Sequence, residues 1–484
     1  MVSPRVRIAP SPTGFFHVGT ARTAYFNWLI ARQDPDGVFV LRIEDTDEER
    51  NRDEWVEVII ESMEWLGFRA DVGPYLQSEY RSAHREAAAA LRHGNYAYYC
   101  DCTGEDVAAR KGEDKTPGYD GFCRDRGLQP TERTALRFRA PLQGSTDIVD
   151  EIRGEVSFEN RVIGDFVIAK SSGDVLYALA NVVDDRRDAI THVIRGEEHL
   201  ANAPKQVLLW RALDEVTGET VPLPTYAHLP LLVNEQRKKL SKRKDPVSTM
   251  AYRDEGYLVE AFVNYLALLG WSPRGDSEIV DRETVTGQFR LSDVSHSPAF
   301  FDVNKLAALN GDYVRRLSLD EFVKACLPWV DPDHATFVPT DRRPPWVPEA
   351  FDADLFRRVA PLVHERVTTL GEVPAMVRFF FESPLVLDED AVNKVLRQDA
   401  SGALVVRGVL EVLDDVEWTS SSLHALVVAV GDNVGLTLRR AQAPVRVAVT
   451  GTTVGPPLFE SLEILGRAVV RERLERALSL CSAS

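Results

Sequence analysis

Apolar and polar positions change period several times along the first seventy residues. Arg5 to Ala9 alternates as a strand does, and the turn residues Pro10 to Gly14 follow. From Ala21 to Arg32, with Ala24, Phe26, Trp28, Leu29 and Ile30, the pattern predicts a helix with an apolar face. Val38-Phe39-Val40-Leu41-Arg42-Ile43 predicts a buried strand that ends in the acidic Glu44-Asp45-Thr46-Asp47, and Trp55 to Leu66 is again helical. A β-α-β-α order predicts a parallel sheet, where ligands sit at the carboxyl ends of the strands. The turn bearing His17 and the acidic Glu44 both fall at such ends.

Residues from about 86 to 181 interrupt this pattern with a helix, a cysteine-bearing loop and β-like segments such as Ala135-Leu136-Arg137-Phe138-Arg139 and Phe166-Val167-Ile168. The parallel pattern resumes with Ile190-Thr191-His192-Val193-Ile194, followed by Arg195-Gly196-Glu197-Glu198-His199 and a helix through Gln206-Val207-Leu208-Leu209-Trp210. From about 250 onward the pattern is mainly helical. Breaks rich in Pro and Asp at 328–349, and the segment near 383–390, predict joints. No repeat and no low-complexity tract interrupts the chain.

At 484 residues the length suggests about three domains. Hydrophobic residues at 44% and charged residues at 27% are ordinary for a soluble globular protein. No apolar run approaches the ~20 residues that span a bilayer, so no membrane partner is expected. The N-terminus enters a strand directly, and we expect no signal peptide. Five cysteines in so long a chain exclude a disulfide framework and fit a reducing cytoplasm. A net charge of −17 argues against a nonspecific nucleic-acid binder. It leaves room for a structured RNA partner, because cations can be concentrated locally. The strongest such reversal is Gln236 to Lys244, with six cations in nine positions.

Two stretches carry candidate chemistry. In Ser11-Pro12-Thr13-Gly14-Phe15-Phe16-His17-Val18-Gly19-Thr20, the glycines let backbone approach a ligand, and the following helix N-terminus attracts negative charge. His17 can donate a hydrogen bond to a phosphate oxygen as charge builds. Taken alone, an ordinary Pro/Gly turn with a partly exposed histidine explains the stretch as well. Lys239-Leu240-Ser241-Lys242-Arg243 taken alone is ordinarily a solvated loop. Its position after the restored parallel strand favours a mobile loop that closes over a triphosphate. Together the two stretches form two walls of one ATP site.

With these residues in view the chain resembles the class I aminoacyl-tRNA synthetases, and among them the bacterial glutamyl-tRNA synthetases. The matching segments are Arg7-Ile8-Ala9-Pro10-Ser11-Pro12-Thr13-Gly14, His17-Val18-Gly19, Arg42-Ile43-Glu44-Asp45-Thr46-Asp47, Asp184-Asp185, Ile190 to Glu197, Lys239 to Arg243 and Asn264-Tyr265-Leu266-Ala267-Leu268-Leu269-Gly270-Trp271. The likeness extends to Val449-Thr450-Gly451 and Leu458-Phe459-Glu460. The family signature HIGH reads His17-Val18-Gly19-Thr20 here, without its final histidine. KMSKS reads Lys239-Leu240-Ser241-Lys242-Arg243, keeping Lys242 as the main transition-state cation.

The resemblance implies ATP and Mg2+ as cofactors, L-glutamate as substrate and tRNA(Glu) as partner, acted on by a cytoplasmic monomer. His17 and Lys242 are then the catalytic residues. Arg7, Ala9, Ser11, Glu44, Tyr177, Asn181 and Arg195 line the glutamate pocket. Arg7 and Tyr177 read the side-chain carboxylate, Glu44 the ammonium group, and Arg195 the substrate carboxylates. Guanidinium groups suit a doubly acidic substrate, because their planar fork holds a carboxylate at two points. The local Val175-Leu176-Tyr177-Ala178 departs from the common Pro-Thr-Tyr of the family. ATP is expected at His17, Gly19, Glu198, His199, Leu231, Lys239, Ser241, Lys242 and Arg243.

Some family members bind structural Zn2+ through Cys-x-Cys, a later Cys, and either a tyrosine four residues before it or a histidine two beyond. Here Cys100, Cys102 and Cys123 supply the thiols, with Tyr119 as fourth ligand or Asp125 at the alternative position; zinc and a vestigial set of reduced thiols both stay open. Cys326 and Cys481 are isolated and expected to be packing residues. Arg366 matches the family position that reads the third anticodon base in discriminating enzymes, and Arg446 is a further anticodon candidate with the Thr450 to Pro456 turn.

The expected fold class is α/β: a class I synthetase nucleotide-binding, Rossmann-like domain with an α+β insertion, followed by all-α stem-contact and anticodon-binding domains. The expected boundaries are 1–85 and 182–235 for the two catalytic halves, 86–181 for an acceptor-stem-binding insertion, 236–313 for a stem-contact region with the phosphate loop, and 314–383 and 384–484 for two anticodon-binding domains. A form that also charges the glutamine tRNA, and a catalytically dead RNA-binding relative, are the rival expectations.

Overall fold

The computed structural model of the protein describes residues 2–46, 49–112, 118–240, 246–398 and 400–481. The chain forms two compact units. One comprises Met1–Met250 and Phe262–Val303, the other Ala251–Ala261 and Asn304–Ser484.

The strands of the first unit are β1 (Arg5–Ile8), β2 (Val38–Ile43), β3 (Val72–Leu76), β4 (Ala97–Cys100), β5 (Ala135–Phe138), β6 (Ser145–Asp150), β7 (Gly154–Glu159), β8 (Val167–Ala169), β9 (His192–Gly196) and β10 (Thr225–Leu229), with the two-residue β11 (Leu232–Val233) and β12 (Ala299–Phe300). The main sheet has the order β3-β2-β1-β9-β10-β6-β7. Its first six strands run parallel, and β7 turns back antiparallel against β6. The chain winds outward from β1 through β2 to β3, then returns to the other side of β1 with β9 and β10. A crevice therefore opens between β1 and β9, at the carboxyl ends, where a doubly wound sheet binds its ligand.

β1 lies within the alternating segment Arg5 to Ala9, and β2 coincides with the apolar run Val38 to Ile43. Most of β2 is buried, as a strand covered on both faces should be. The helix Val18–Arg32 buries residues on nearly every side rather than along one stripe. It lies between the sheet and an aromatic layer: Phe26 packs on Phe289 at 4.7 Å between ring centroids, and Tyr25 stacks on Phe68 at 5.0 Å. The helix Asp53–Leu66 is the amphipathic case, burying Ile59, Ser62, Met63 and Leu66 at helical spacing and ending at Gly67 in the left-handed region.

The interrupting segment belongs to the first compact unit. Its hairpin β6–β7 extends the main sheet, with Asp150 opposite Tyr226 of β10. A second, three-stranded sheet, β4-β5-β8, packs with the helices Arg81–His93, Tyr177–Arg187 and Ala203–Thr217 around Leu91, Phe138, Ile168, Leu209 and Trp210. The helix Tyr177–Arg187 runs across position 181/182.

The second unit is helical and contains two apolar cores. One spans Val314 to Leu385 and includes Phe322, Trp329, Phe356 and Phe380; the other spans Ala391 to Ala477. Its helix Leu319–Val330 starts at a capping box in which Ser318 and Glu321 satisfy each other's backbone N–H. Cys326 is fully buried in the first core, and Cys481 packs against the second. Among the described residues no single helix is long and apolar enough to cross a membrane.

Candidate active site

A cleft of about 590 Å³ opens at the β1/β9 crevice. Its walls are the segment from Arg7 to Thr23, then Glu44, Tyr177, Asn181, the end of β9 through His199, and Pro230 to Leu232 with Lys239 and Leu240. All seven residues expected to hold glutamate line it: Arg7, Ala9, Ser11, Glu44, Tyr177, Asn181 and Arg195. So do His17, Gly19, Glu198, His199, Leu231 and Lys239 of the expected ATP set. Ser241, Lys242 and Arg243, which complete that set, lie outside the described residues.

His17 caps the helix Val18–Arg32. Its Nδ1 accepts from the Gly19 N–H at 2.9 Å, so the neutral ring carries its hydrogen on Nε2. A Cβ at position 19 would stand 3.2 Å from that Nδ1, which is why glycine suits the position. The first turn of the helix carries no acidic residue, leaving the positive end of its dipole for an anionic ligand. At the far wall the Lys239 Nζ lies 3.3 Å from Glu198 Oε1. Burial opposes ionisation of Glu198, but its own backbone N–H and Lys239 hold its pKa below the usual value.

The end of the cleft at Arg7, Glu44 and Asn181 rests on a buried charge network. Arg42, fully enclosed in β2, donates to Asp185 Oδ1 at 2.9 Å and to Asn181 Oδ1 at 2.9 Å, and lies 3.6 Å from Glu44 and from Asp188. Arg7 donates to the same Asp185 through Nε at 3.1 Å and Nη2 at 3.4 Å. Burial works against Asp185's charge, yet Arg7 and Arg42 keep its pKa below the ordinary carboxylate value. Glu44 accepts from Asn181 Nδ2 at 2.7 Å; burial is the dominant influence and raises its pKa, with Arg42 opposing. An arriving ammonium group would compensate that buried carboxylate.

Arg195 is held differently. Its Nε donates to His228 Nε2 at 3.1 Å, while its Nη groups make longer contacts to Tyr177 Oη at 3.5 Å and the His199 carbonyl at 3.4 Å. His199 is pushed down to a pKa of about 4 by burial and by the Arg195 cation, so it is neutral at pH 7. Tyr177 is raised by burial and by Glu44, and keeps its proton.

The sequence quoted Arg42, Asp185 and Glu197 only as motif letters, and it missed Asp150, Arg153 and His228. Arg153 pairs with Glu197, whose Oε1 accepts from the Leu231 N–H at 2.8 Å, bracing the cleft wall at Leu231. The usable signal was a lone arginine inside the apolar run of β2.

Away from the cleft, the sulfurs of Cys100, Cys102 and Cys123 lie within 4.8 Å of one another. The Tyr119 phenol oxygen is 3.4 Å from the sulfurs of Cys100 and Cys102. Three soft thiols and a phenol oxygen converging at these distances fit a tetrahedral metal. Asp125 is not brought to the cluster; it is exposed and pairs with Arg139 at 3.1 Å. In the helical unit, Arg366 is exposed, just past the helix Ala353–His364. Arg446 donates to the Pro456 carbonyl at 2.8 Å, and its pKa is lowered by burial and by the nearby Arg366 cation.

Comparison with known proteins agrees with this geometry. Residues 3–308 match the family model described as "tRNA synthetases class I (E and Q), catalytic domain", and residues 321–478 match "Anticodon binding domain". The chain belongs to the class I tRNA synthetases of the E and Q group. A relative from Salinispora arenicola named glutamate–tRNA ligase is 54% identical over 476 residues, covering 98% of both chains. One of the same name from Thermobifida fusca is 51% identical over 486 residues, covering 99% of this chain and 98% of its own. Among solved structures, a glutamate tRNA ligase from Elizabethkingia meningosepticum in complex with its amino acid superposes with a TM-score of 0.78 at 29% identity, covering 99% of each chain. The family fold is therefore present along the whole length, with the helical unit carrying the anticodon-binding match.

Proposed function

We infer that the chain is a glutamate–tRNA ligase, which activates L-glutamate with ATP and transfers it to the 3′ end of tRNA(Glu). The observation that carries this is the convergence, in one cleft, of every described residue expected for glutamate and for ATP. Relatives of nearly the same length bear that name.

In the first step a carboxylate oxygen of glutamate attacks the α-phosphorus of ATP in line. The bond to pyrophosphate breaks, giving glutamyl-adenylate. In the second step a ribose hydroxyl at the tRNA 3′ end attacks the acyl carbon, loses its proton, and AMP leaves. No side chain forms a covalent bond, so rate enhancement comes from orientation and fixed charge. The N-terminus of the helix Val18–Arg32 and His17 Nε2–H face the phosphates, and Lys239 adds a cation from the opposite wall. Lys242 is proposed as the main transition-state cation. Mg2+ bound with ATP would supply charge neutralisation on the phosphates.

For the amino acid, Arg7 and Tyr177 take the side-chain carboxylate, Glu44 the ammonium group and Arg195 the carboxylates. Glutamine would turn an amide NH2 toward Arg7 in place of a carboxylate oxygen and lose a charge-assisted hydrogen bond, a loss of about 1.5–3 kcal/mol. Cys100, Cys102, Tyr119 and Cys123 would hold one structural Zn2+, fastening the loop between them. Arg366 and Arg446 are proposed to read the anticodon. The finer division into six segments given from the sequence, a monomeric state and a cytoplasmic location belong to the same reading.

ATP–pyrophosphate exchange with glutamate, measured with and without tRNA(Glu), tests the assignment. Glutamate-dependent exchange is expected; its absence even with tRNA(Glu) present would contradict the enzymatic reading.

A further inference from the structure

The two arginines of the amino-acid end are held in opposite ways. Arg7 pairs directly with the carboxylate of Asp185, so much of its charge is already answered inside the protein. Arg195, 6% exposed, meets no carboxylate through its Nε; an imidazole stands between it and the nearest acid on that side. That acid is Asp150, the last residue of β6, whose Oδ2 lies 2.6 Å from His228 Nδ1. Both His228 and Asp150 are fully enclosed at their side chains.

The hydrogen-bond chemistry fixes the direction of this chain. An arginine Nε can only donate, so His228 Nε2 must accept. The hydrogen of the neutral ring is then on Nδ1, pointing at Asp150. Burial lowers the His228 pKa, against the influence of Asp150, which is consistent with the neutral ring. Asp150 is itself fixed by the N–H groups of Ile152 at 3.0 Å, Arg153 at 2.8 Å and His228 at 3.0 Å.

We propose that Asp150 and His228 are positioning residues for Arg195, orienting its guanidinium through Nε without neutralising it. The short contact is spent on Nε. The Nη groups, which make only contacts of 3.4–3.5 Å to Tyr177 and His199, are left to tighten on a substrate carboxylate. Arg195 is thereby the cation of the pocket whose charge is reserved for glutamate, and Asp150 reaches it from the hairpin that the interrupting segment adds to the sheet. This rests on the reading of Arg195 as a carboxylate contact.

Asp150→Asn separates the possibilities in steady-state aminoacylation with tRNA(Glu). The new amide can donate to Nδ1, which moves the ring hydrogen to Nε2 and sets N–H against the Nε–H of Arg195. We expect the KM for glutamate to rise about 10- to 100-fold, the loss of one hydrogen bond to a charged group, while the KM for ATP stays within about twofold. Adding His228→Gln to Asp150→Asn restores a carbonyl acceptor near the former Nε2 and should recover most of the glutamate KM. In 15N spectra of histidine-labelled protein, His228 should carry its hydrogen on Nδ1, and Asp150→Asn should shift it to Nε2. Equal changes in both KM values, no recovery in the double variant, or an Nε2–H tautomer in the unaltered protein would overturn the proposal. Arg195→Lys is the control. If it leaves the glutamate KM unchanged, the role given to Arg195 fails. If it raises that KM while Asp150→Asn does not, only the positioning role fails.

Discussion

Arg42→Met removes a cation from the middle of four carboxylates. Arg42 lies 2.9 Å from Asp185, 3.6 Å from Glu44 and Asp188, and 3.9 Å from Asp184, with its own side chain fully buried. Methionine fills much of the same volume, so the loss is electrostatic rather than a cavity. Removing one partner of a buried ion pair costs about 3–5 kcal/mol, because the other charge is stranded. Arg7 still answers Asp185, and His84 and Arg187 still answer Asp184, which argues for the lower half of that range, about 3 kcal/mol. For a unit of this size that is a fall of roughly 5 °C in the unfolding midpoint. The deficit should also depend on pH. Stranded carboxylates have folded pKa values above their unfolded ones, a penalty that is absent below the unfolded pKa, grows as pH rises from there, and is complete above the folded one. Thermal and urea unfolding followed by circular dichroism at pH 5 and pH 7.5 should show the larger deficit at pH 7.5. A deficit below about 1 kcal/mol, or one equal at both pH values, would refute this account of the network.

His199 has a folded pKa of about 4 against an ordinary 6.5, so the unfolded chain takes up its proton first and stability falls as pH drops from 6.5 to 4. His199→Gln should therefore lose less stability than the unaltered protein over that window in urea melts; an identical pH profile would contradict the burial argument. Gly256 has φ +84°, and a Cβ there would lie 2.3 Å from the Gly371 nitrogen, so Gly256→Ala should cost well over 1 kcal/mol in the helical unit, read as a lower urea midpoint. Elemental analysis of the purified chain should find about one zinc per molecule, lost on Cys123→Ser; a metal-free protein prepared without chelator would leave the thiols vestigial. Arg366→Gln should raise charging of tRNA(Gln) relative to tRNA(Glu), and an unchanged ratio would remove its anticodon role.

The parallel sheet and its site were legible where residues near in sequence reported on one another. Strand β2 and the acidic residue at its end, the histidine before a helix, and the resumed strand at Ile190 each carry local signals, and the structure gathers them at one crevice. The hairpin β6–β7 was not legible as part of the same sheet. In β6 the inward positions are Thr146, Ile148 and Asp150, so the alternation that marks a strand is mostly polar. Strand β10 hides for a similar reason: its buried face includes His228, between prolines that read as a loop. Asp150 and His228 are 78 positions apart, and only the sheet brings them together. Asp185 was visible only as part of the Asp184-Asp185 match, and its two arginine partners belong to strands near the N-terminus. The choice between Tyr119 and Asp125 was likewise spatial, since both stand at acceptable spacings from the cysteines.

Aminoacylation of purified tRNA(Glu) and tRNA(Gln), side by side, with labelled glutamate and with labelled glutamine, decides the assignment as a glutamate–tRNA ligase. ATP-dependent attachment of glutamate to tRNA(Glu) is expected, with little to tRNA(Gln) and none of glutamine to either. Failure to charge tRNA(Glu) with glutamate, or attachment of glutamine in its place, would contradict it.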